Sequence, residues 1–379
     1  MKILYHHRTR AEDAQGVHIQ EMVNAFQKQG HEVIVAGLMS PEEKNARSKS
    51  FIGKIAAKAP YWGYELMELV YNLYAFVSLS RKIKKFRPEL IYERYAIFTF
   101  AGLLVAKLYK IPFILEVNAP LAFEKKKYSK LFFNRMAAAI ERFVCSRSHA
   151  TIVVSTPLKK IIQKSRVPED KLVVIPNGIN PETFHPNIDG FPVRQRLGLN
   201  GKIVLGFVGW MREWHGLEDL LRIYIDQQMN KQGIHLLLVG DGPALPALKE
   251  YAAQNGVLNH GITLTGAVPR KEVPKHIAAF DLALQPDVTD YACPIKLVEY
   301  MGMGKGPIAP DKPNIRELLS DDYPGLFQTG NWENMAETIL KNSSSKDKAR
   351  LLGDMAYQRI KQQKYFWIEN VDRVLRLIS

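Results

Sequence analysis

Twice along this chain, short runs of Val, Ile and Leu alternate with longer stretches patterned for helices. A strand buried on both faces of a sheet reads as a continuous apolar run, and parallel neighbours need a long crossover between them. The alternation therefore selects α/β folds with wound parallel sheets over sandwiches, barrels and bundles. In the first series, strands are expected over residues 2–5, 31–36, 90–92, 112–117, 151–154 and 171–175. A loop ending at Gly16 leads into a helix over residues 17–29, with Gly30 as its carboxyl-terminal cap. The second series places strands over residues 203–208, 234–239, 262–265 and 282–285. Between the two, Pro176-Asn177-Gly178-Ile179-Asn180-Pro181 interrupts the pattern with turn formers, which puts a domain boundary near Gly178. At 379 residues the chain exceeds what a single core ordinarily organises. Two wound sheets in tandem imply a cleft between them, where such folds take their ligands.

Composition narrows the function classes. With 46% hydrophobic and 24% charged residues, no low-complexity tract and no short repeat, the chain reads as a folded protein. Cys145 and Cys293 are its only cysteines, which argues against a disulfide framework or a zinc site and fits a reducing compartment. The start, Met1-Lys2-Ile3-Leu4-Tyr5-His6-His7-Arg8, turns polar too early for a signal peptide. The longest apolar stretch, near residues 97–106, falls short of the about 20 residues that span a bilayer. A cytoplasmic chain without a transmembrane anchor is expected. The net charge of +14 suits an anionic partner: nucleic acid, a membrane surface or a phosphorylated substrate. No zinc-finger spacing, RNA-binding signature or helix-turn-helix accompanies the charge, so nucleic acid is set aside and the other two lead.

The stretch richest in chemistry is Tyr291-Ala292-Cys293-Pro294-Ile295-Lys296-Leu297-Val298-Glu299-Tyr300-Met301-Gly302. Pro294 suits the opening of a helix, since the amide hydrogen it lacks would have no partner there. A helix start offers free N–H groups and the positive end of the dipole, a seat for a diphosphate, and Lys296 adds a point charge. Glu299, one turn on and on the same face, is acceptor-only and can hold the two hydroxyls of a ribose. Spacing alone fits a surface Lys–Glu pair on an ordinary helix equally well. Gly240-Asp241-Gly242-Pro243, after a strand, can likewise be no more than a tight turn into the next helix. No dinucleotide fingerprint, Walker lysine motif, Gly-x-Ser-x-Gly elbow or His-Glu-x-x-His pair is present.

The same stretch resembles the donor-binding signature of family-4 glycosyltransferases, and the likeness extends over nearly the whole chain. Gln15-Gly16-Val17-His18, followed by Gln29-Gly30-His31-Glu32-Val33, is similar to the family's glycine loop and first helix. Ile175-Pro176-Asn177-Gly178-Ile179 resembles its interdomain hinge. Phe207-Val208-Gly209, Trp214-His215-Gly216 and Val239-Gly240-Asp241-Gly242-Pro243 resemble its second-domain loops. The resemblance implies a GT-B fold of two Rossmann-like wound domains facing an interdomain cleft. Residues 1–178 would be the acceptor-side domain, residues 179–360 the nucleotide-sugar donor domain, and residues 361–379 a helix packing back on the first domain. It further implies a retaining, metal-independent sugar transfer without a cofactor, from a donor that is UDP- or GDP-linked by family habit. In that scheme Glu299 holds the donor ribose, and the backbone of Pro294, Ile295 and Leu297 approaches the diphosphate. Gly16 lets the first-domain backbone come close to phosphate and acceptor, and Gly209 and Gly240 sit in donor-side loops.

Several positions depart from the family's common form. His215 stands where a lysine is usual and Trp210 where an arginine is usual, with Arg212 near enough to supply the missing charge beside Lys296. His215 is otherwise a packing or turn residue. Tyr291 replaces an acidic residue that contacts the donor sugar, a role open to adjacent Asp290. Asn118 replaces a histidine near the reacting centre and can hydrogen-bond but not take a proton at neutral pH. Glu116 and Glu124 are acids nearby, or solvated loop charges.

Residues 51–87 carry Lys54, Lys58, Tyr61, Trp62, Tyr64, Tyr71, Tyr74 and Phe76, and end in Arg81-Lys82-Ile83-Lys84-Lys85-Phe86-Arg87. A second cluster is Lys125-Lys126-Lys127-Tyr128-Ser129-Lys130-Leu131-Phe132-Phe133. Basic residues beside aromatics suit the headgroup zone of an anionic membrane, and a buried helix with a solvated charged end fits as well. The reading that follows is a hexosyltransferase of cell-surface polysaccharide or glycolipid synthesis, acting on a glycan or lipid-linked acceptor at the inner face of a membrane. Its rivals are a nucleotide-sugar epimerase on the same fold and a non-catalytic scaffold.

Overall fold

The computed structural model describes residues 1–9, 14–37, 61–128 and 131–378. Lys54, Lys58, Ser129 and Lys130 fall outside them, as do the side chains of Tyr61, Lys126, Lys127 and Tyr128. The chain divides into two units, Met1–Pro176 with Trp367–Ser379, and Asn177–Phe366.

The first unit is built on a six-stranded sheet of order β2-β1-β3-β4-β5-β6. Its strands are β1 (Lys2–His6), β2 (Glu32–Ala36), β3 (Leu90–Arg94), β4 (Phe113–Val117), β5 (Ala150–Val153) and β6 (Leu172–Val174). Its helices are α1 (Ala14–Lys28), α2 (Tyr61–Phe86), α3 (Ala101–Tyr109), α4 (Leu121–Tyr128), α5 (Asn134–Arg147) and α6 (Thr156–Lys164). The second unit repeats the plan, with sheet order β12-β11-β10-β7-β8-β9. Its strands are β7 (Ile203–Val208), β8 (Ile234–Val239), β9 (Ile262–Leu264), β10 (Leu282–Leu284), β11 (Gly306–Pro310) and β12 (Leu326–Phe327). Helices α7 (Phe191–Arg196), α8 (Leu217–Asp226), α9 (Leu245–Gln254), α10 (Val273–Ala278) and α11 (Ile295–Gly302) connect them. They are followed by α12 (Pro313–Leu319), α13 (Trp332–Ser343) and α14 (Lys346–Gln363). Among the described residues every strand pair in both sheets is parallel.

Burial explains the apolar runs. Strands β3, β4, β5 and β8 are buried at every residue, as a sheet covered on both faces requires. The charged exceptions in β3 and β4, Glu93, Arg94 and Glu116, lie near the carboxyl-terminal ends of those strands. The last helix, α15 (Trp367–Leu375), packs on α1, and Trp367, Val371 and Val374 share a core with Ile19, Met22, Phe26 and Tyr92. Gln29 ties it further, donating to the Ile368 carbonyl at 3.0 Å and to Asp372 Oδ1 at 2.8 Å.

Two local expectations change. Gly16 lies in the first turn of α1 rather than in a loop before it, because Ala14 and Gln15 extend the helix upstream. The pattern also leaves out β11 and β12. Strand β11 reads Gly-Pro-Ile-Ala-Pro, which is turn chemistry by composition, yet it is buried throughout and pairs with β10 and β12. In each unit the strand order reverses beside its first strand, between β1 and β3 and between β7 and β10. Loops leaving the carboxyl-terminal ends of such strands diverge and open a crevice for ligand. Among the described residues no helix is long and apolar enough to cross a membrane.

Candidate active site

In the second unit, the reversal between β7 and β10 is where most of the sequence-derived site residues gather. The backbone there depends on glycine. Gly209, Gly240 and Gly242 have φ of +136°, +130° and +146°, which side-chain-bearing residues rarely adopt. A Cβ on Gly240 would lie 2.1 Å from the Gly209 carbonyl oxygen, and one on Gly242 2.3 Å from that of Met211. The loops after β7 and β8 are thus stacked backbone on backbone. Met211 N–H donates to the Asp241 carbonyl at 2.6 Å and Gly240 N–H to that of Gly266 at 3.0 Å. The turn after β8 is therefore also a clamp on the β7 loop.

Helix α11 opens directly after Pro294, whose extended backbone leaves the first N–H groups of the helix without intrahelical partners. The Tyr300 hydroxyl accepts from Val208 N–H at 2.8 Å, joining the helix to the end of β7. The segment before the helix is held from below. Lys312 Nζ donates to Asp287 Oδ1 at 2.8 Å, and Asn314 Nδ2 to the carbonyls of Thr289 and Ala292 at 3.0 and 2.7 Å. Asn177 Nδ2 donates to the Cys293 carbonyl at 2.6 Å. Burial pushes the Cys293 thiol up to about 12, so it is a packing residue and not a nucleophile.

Lys296 turns inward. Its Nζ is shielded from solvent, has no hydrogen-bond partner among the described residues and lies 3.9 Å from the centroid of the Phe207 ring. A Cβ on Gly209 would come within 3.1 Å of it, so that glycine also makes room for the ammonium. Burial draws the Lys296 pKa down to about 7, against the opposing pull of the Glu299 carboxylate. The His215 ring also packs against Phe207, with centroids 5.7 Å apart. Its Nδ1 accepts from Arg212 N–H at 3.3 Å, which leaves the proton on Nε2. Burial, then the charges of Lys296 and Arg212, hold its pKa at about 3, so the imidazole is neutral near pH 7. The Arg212 guanidinium stacks on Trp214, 4.9 Å from the ring centroid.

Glu299 is buried and pairs with Arg270, not with Lys296. The surface Lys–Glu pair is thereby ruled out, since both side chains leave the surface and find different neighbours. Arg270 itself lies over Phe184 at 4.7 Å. The sequence reading missed it, although it follows the end of β9, where loops of wound sheets carry ligand-facing residues. Leu297 is fully buried and Tyr291 nearly so, whereas the Asp290 side chain is 77% exposed and ion-paired with Lys312 at 3.1 Å.

Gly16 and Asn118 belong to the first unit, where Glu116 is the hub at the end of β4. Tyr92 Oη and Arg94 Nη1 donate to its carboxylate, each at 2.6 Å, His18 Nδ1 lies 3.5 Å away, and Asn118 Nδ2 also donates to it. Burial raises the Glu116 pKa, but His18, Arg94 and the bonds from Tyr92 and Asn118 outweigh it, and the carboxyl is held below its usual value. Glu116 is therefore no solvated loop charge, whereas Glu124 stays half-buried on α4. A carboxylate only accepts, so Asn118 must give it the NH₂ end and presents its carbonyl oxygen elsewhere. The signal for this cluster was available: a charged residue ending an otherwise apolar strand. Among the described residues, no group of three or more His, Cys, Asp or Glu is placed to hold a metal ion.

The buried ammonium makes a pH-dependent prediction. Below about pH 7 Lys296 is charged in both folded and unfolded chains, and the desolvation penalty is present in full. Between about 7 and 10.5 only the unfolded chain keeps the proton, so the folded state gains stability as pH rises. Lys296→Met should stabilise the ligand-free protein by about 1–3 kcal/mol near pH 6, and the gain should fade toward pH 10.5. Thermal melts across this range check it; a variant no more stable than wild type near pH 6 contradicts it.

Residues 15–183 match the model of Glycosyltransferase Family 4, and residues 202–344 match that of Glycosyl transferases group 1. The chain is similar to an uncharacterized glycosyltransferase of Methanocaldococcus jannaschii, 24% identical over 289 residues that span 74% of this chain and 72% of the relative. It is also similar to the UDP-Gal:alpha-D-GlcNAc-diphosphoundecaprenol alpha-1,3-galactosyltransferase of Escherichia coli, 23% identical, with 69% and 67% of the two chains covered. The fold is similar to that of Anabaena HepE crystallised with UDP, at a TM-score of 0.76 and 16% identity over 99% of this chain and 100% of that one. With one module of each kind in order along the chain, the protein belongs to the family-4-related glycosyltransferases and has their GT-B fold.

Proposed function

We propose that the protein is a retaining glycosyltransferase that moves a sugar from a nucleotide-sugar donor to a glycan or lipid-linked acceptor, without a metal ion. The observation that carries the reading is Lys296, a buried ammonium with no hydrogen-bond partner among the described residues, at the start of α11 beside the glycine loop at Gly209. A charge in that position is destabilising until an anion joins it, and the free N–H groups at the helix start favour the same anion, a diphosphate. Crystal structures of Anabaena HepE hold UDP and UDP-glucose, and the name of the Escherichia coli relative gives UDP-Gal as donor and a diphosphoundecaprenol acceptor. These support a lipid-linked acceptor over a free glycan, while GDP-mannose-dependent relatives from Mycobacterium tuberculosis and Mycolicibacterium smegmatis keep both UDP- and GDP-linked donors in the reading.

In this reading the backbone of Pro294, Ile295 and Leu297 faces the diphosphate, Gly209 and Gly240 give it room, and Glu299 accepts from the ribose hydroxyls with Arg270 beside it. As the bond from sugar to phosphate breaks, positive charge grows on the ring and negative charge on the leaving diphosphate. Lys296 and Arg212 stabilise that negative charge, and neutral His215 contributes its Nε2–H in place of a second cation. Tyr291 and Asp290 border the sugar, with Asp290 paired with Lys312. Gly16 and Asn118 serve the acceptor side. Glu116 is held ionised by its donors and Asn118 cannot take a proton, so the leaving phosphate receives the acceptor's proton. Lys296→Ala and Arg212→Ala should each lower kcat for transfer from a panel of UDP- and GDP-sugars by about 10²–10³, and Lys296→Ala should also raise the donor KM, because its ammonium binds the diphosphate before transfer begins. The product anomer, read by NMR, should match the donor. Inversion, unchanged kcat, or release of an epimerised nucleotide sugar without transfer would overturn the reading.

The acceptor reading places the protein peripherally at the inner face of an anionic membrane. Helix α2 supports it. Its inner face buries Glu65, Glu68, Asn72, Ala75, Leu79 and Ile83, while Trp62, Leu66, Val70, Leu73, Tyr74 and Val77 form an exposed outer stripe. The stripe runs on into exposed Arg81, Lys84 and Lys85. An apolar helix face ending in cations suits acyl chains beneath anionic headgroups. Leu73→Glu with Val70→Glu should weaken co-sedimentation with phosphatidylglycerol vesicles by at least about tenfold. Equal binding by variant and wild type would contradict this placement.

A further inference from the structure

At the amino-terminal ends of β4, β5 and β6, the first unit carries a groove of about 400 Å³. Its wall includes Lys107, Lys110, Phe113, Arg147, His149 and Lys171, and no carboxylate. It lies at the opposite end of β4 from Asn118, roughly 15 Å along the strand. None of Lys107, Lys110, Arg147 and Lys171 is ion-paired with a described residue. Lys171 Nζ reaches only the His149 carbonyl, at 3.5 Å, and Lys107 Nζ lies 5.6 Å from the Phe143 ring centroid.

Part of this charge has a local cause. Helix α3 ends in Lys107 and its cap Lys110, and α5 ends in Arg147. Cations at helix carboxyl termini are favourable by themselves. That account covers each of the three alone. It does not cover Lys171, which ends the short turn leading into β6, nor the meeting of all four on one concave wall without an acid.

We propose that this groove binds a phosphate-bearing anion, at a site separate from the one at α11. Leu104 and Leu108 on α3 and Phe143 on α5 are exposed, a setting that suits phosphate carried on a lipid headgroup as well as free phosphate. The proposal uses no residue of the second unit, so it stands or falls independently of the donor reading.

The test uses the full chain carrying Lys296→Ala, which removes the second unit's buried charge, titrated with inorganic pyrophosphate in a calorimeter. One binding event is expected. Adding Lys110→Gln, Arg147→Gln and Lys171→Gln should weaken it on the order of a hundredfold, with circular dichroism unchanged. Lys171→Glu alone, outside any helix terminus of α3 or α5, should weaken it too, which guards against a misfolded triple variant. Co-sedimentation with vesicles of phosphatidylcholine and phosphatidylglycerol, in chains that also carry Val70→Glu and Leu73→Glu so that helix α2 does not bind them, identifies the source. Loss of vesicle binding together with pyrophosphate binding assigns a lipid headgroup, and loss of pyrophosphate binding alone assigns a soluble phosphate. Failure of the Lys296→Ala protein to bind either probe overturns the proposal. So does a triple variant that melts earlier yet binds pyrophosphate as before, because the cations are then helix caps and nothing more.

Discussion

The ammonium of Lys296 enters an interior that offers it an aromatic face and, among the described residues, no hydrogen-bond acceptor. Cation–π attraction of about 0.5–2 kcal/mol offsets part of the desolvation of a charged group, not all of it. Much of the second unit's switch point is arranged around this one charge. Gly209 leaves room for it, Gly240 and Gly242 hold the Gly209 loop in place, and Tyr300 fixes α11 to the end of β7. The charge also acts on its neighbours: with burial and Arg212, it keeps His215 neutral. The family's common form has a lysine at the His215 position, and a second buried ammonium beside Lys296 would meet strong repulsion. A neutral imidazole that donates from Nε2 is compatible with it.

The first unit solves the opposite problem. There the buried charge is a carboxylate, Glu116, and it is satisfied by donors from β3 and the loop after β4, with His18 of α1 3.5 Å away. That satisfaction makes it rigid and chemically quiet, so its role is orientation. It fixes which end of Asn118 faces outward, which no inspection of a lone Asn in sequence can decide.

Sheet architecture was legible in the sequence because two-sided burial forces continuous apolar runs, and most strands fall where those runs are. The misses have specific causes. Strand β11 hides behind prolines, and β12 spans two residues, too few for any periodicity to register. Gly16 was placed in a loop because glycine reads as a helix breaker, whereas the helix starts upstream of it. Motif and resemblance point to Gly209, Gly240, Lys296 and Glu299 as candidate site residues. They do not point to the partners of these residues, because Phe207, Phe184 and Arg270 join them only through tertiary packing across separate loops. Asp290 shows the limit from the other side: its sequence position is right for a sugar contact, but Lys312, 22 residues on, already engages it.

If the buried charge at α11 awaits a diphosphate, nucleotide binding should be visible as stability. The most direct measurement is the thermal stabilisation of the purified chain by a panel of nucleoside diphosphates without added metal, with Glu299→Ala as control. A ligand at about 100 times its dissociation constant adds about 2.7 kcal/mol to the folded state. The account predicts a base-selective upward shift in Tm for the wild type and its loss in Glu299→Ala. No shift with any nucleotide, or an equal shift in the variant, would contradict it.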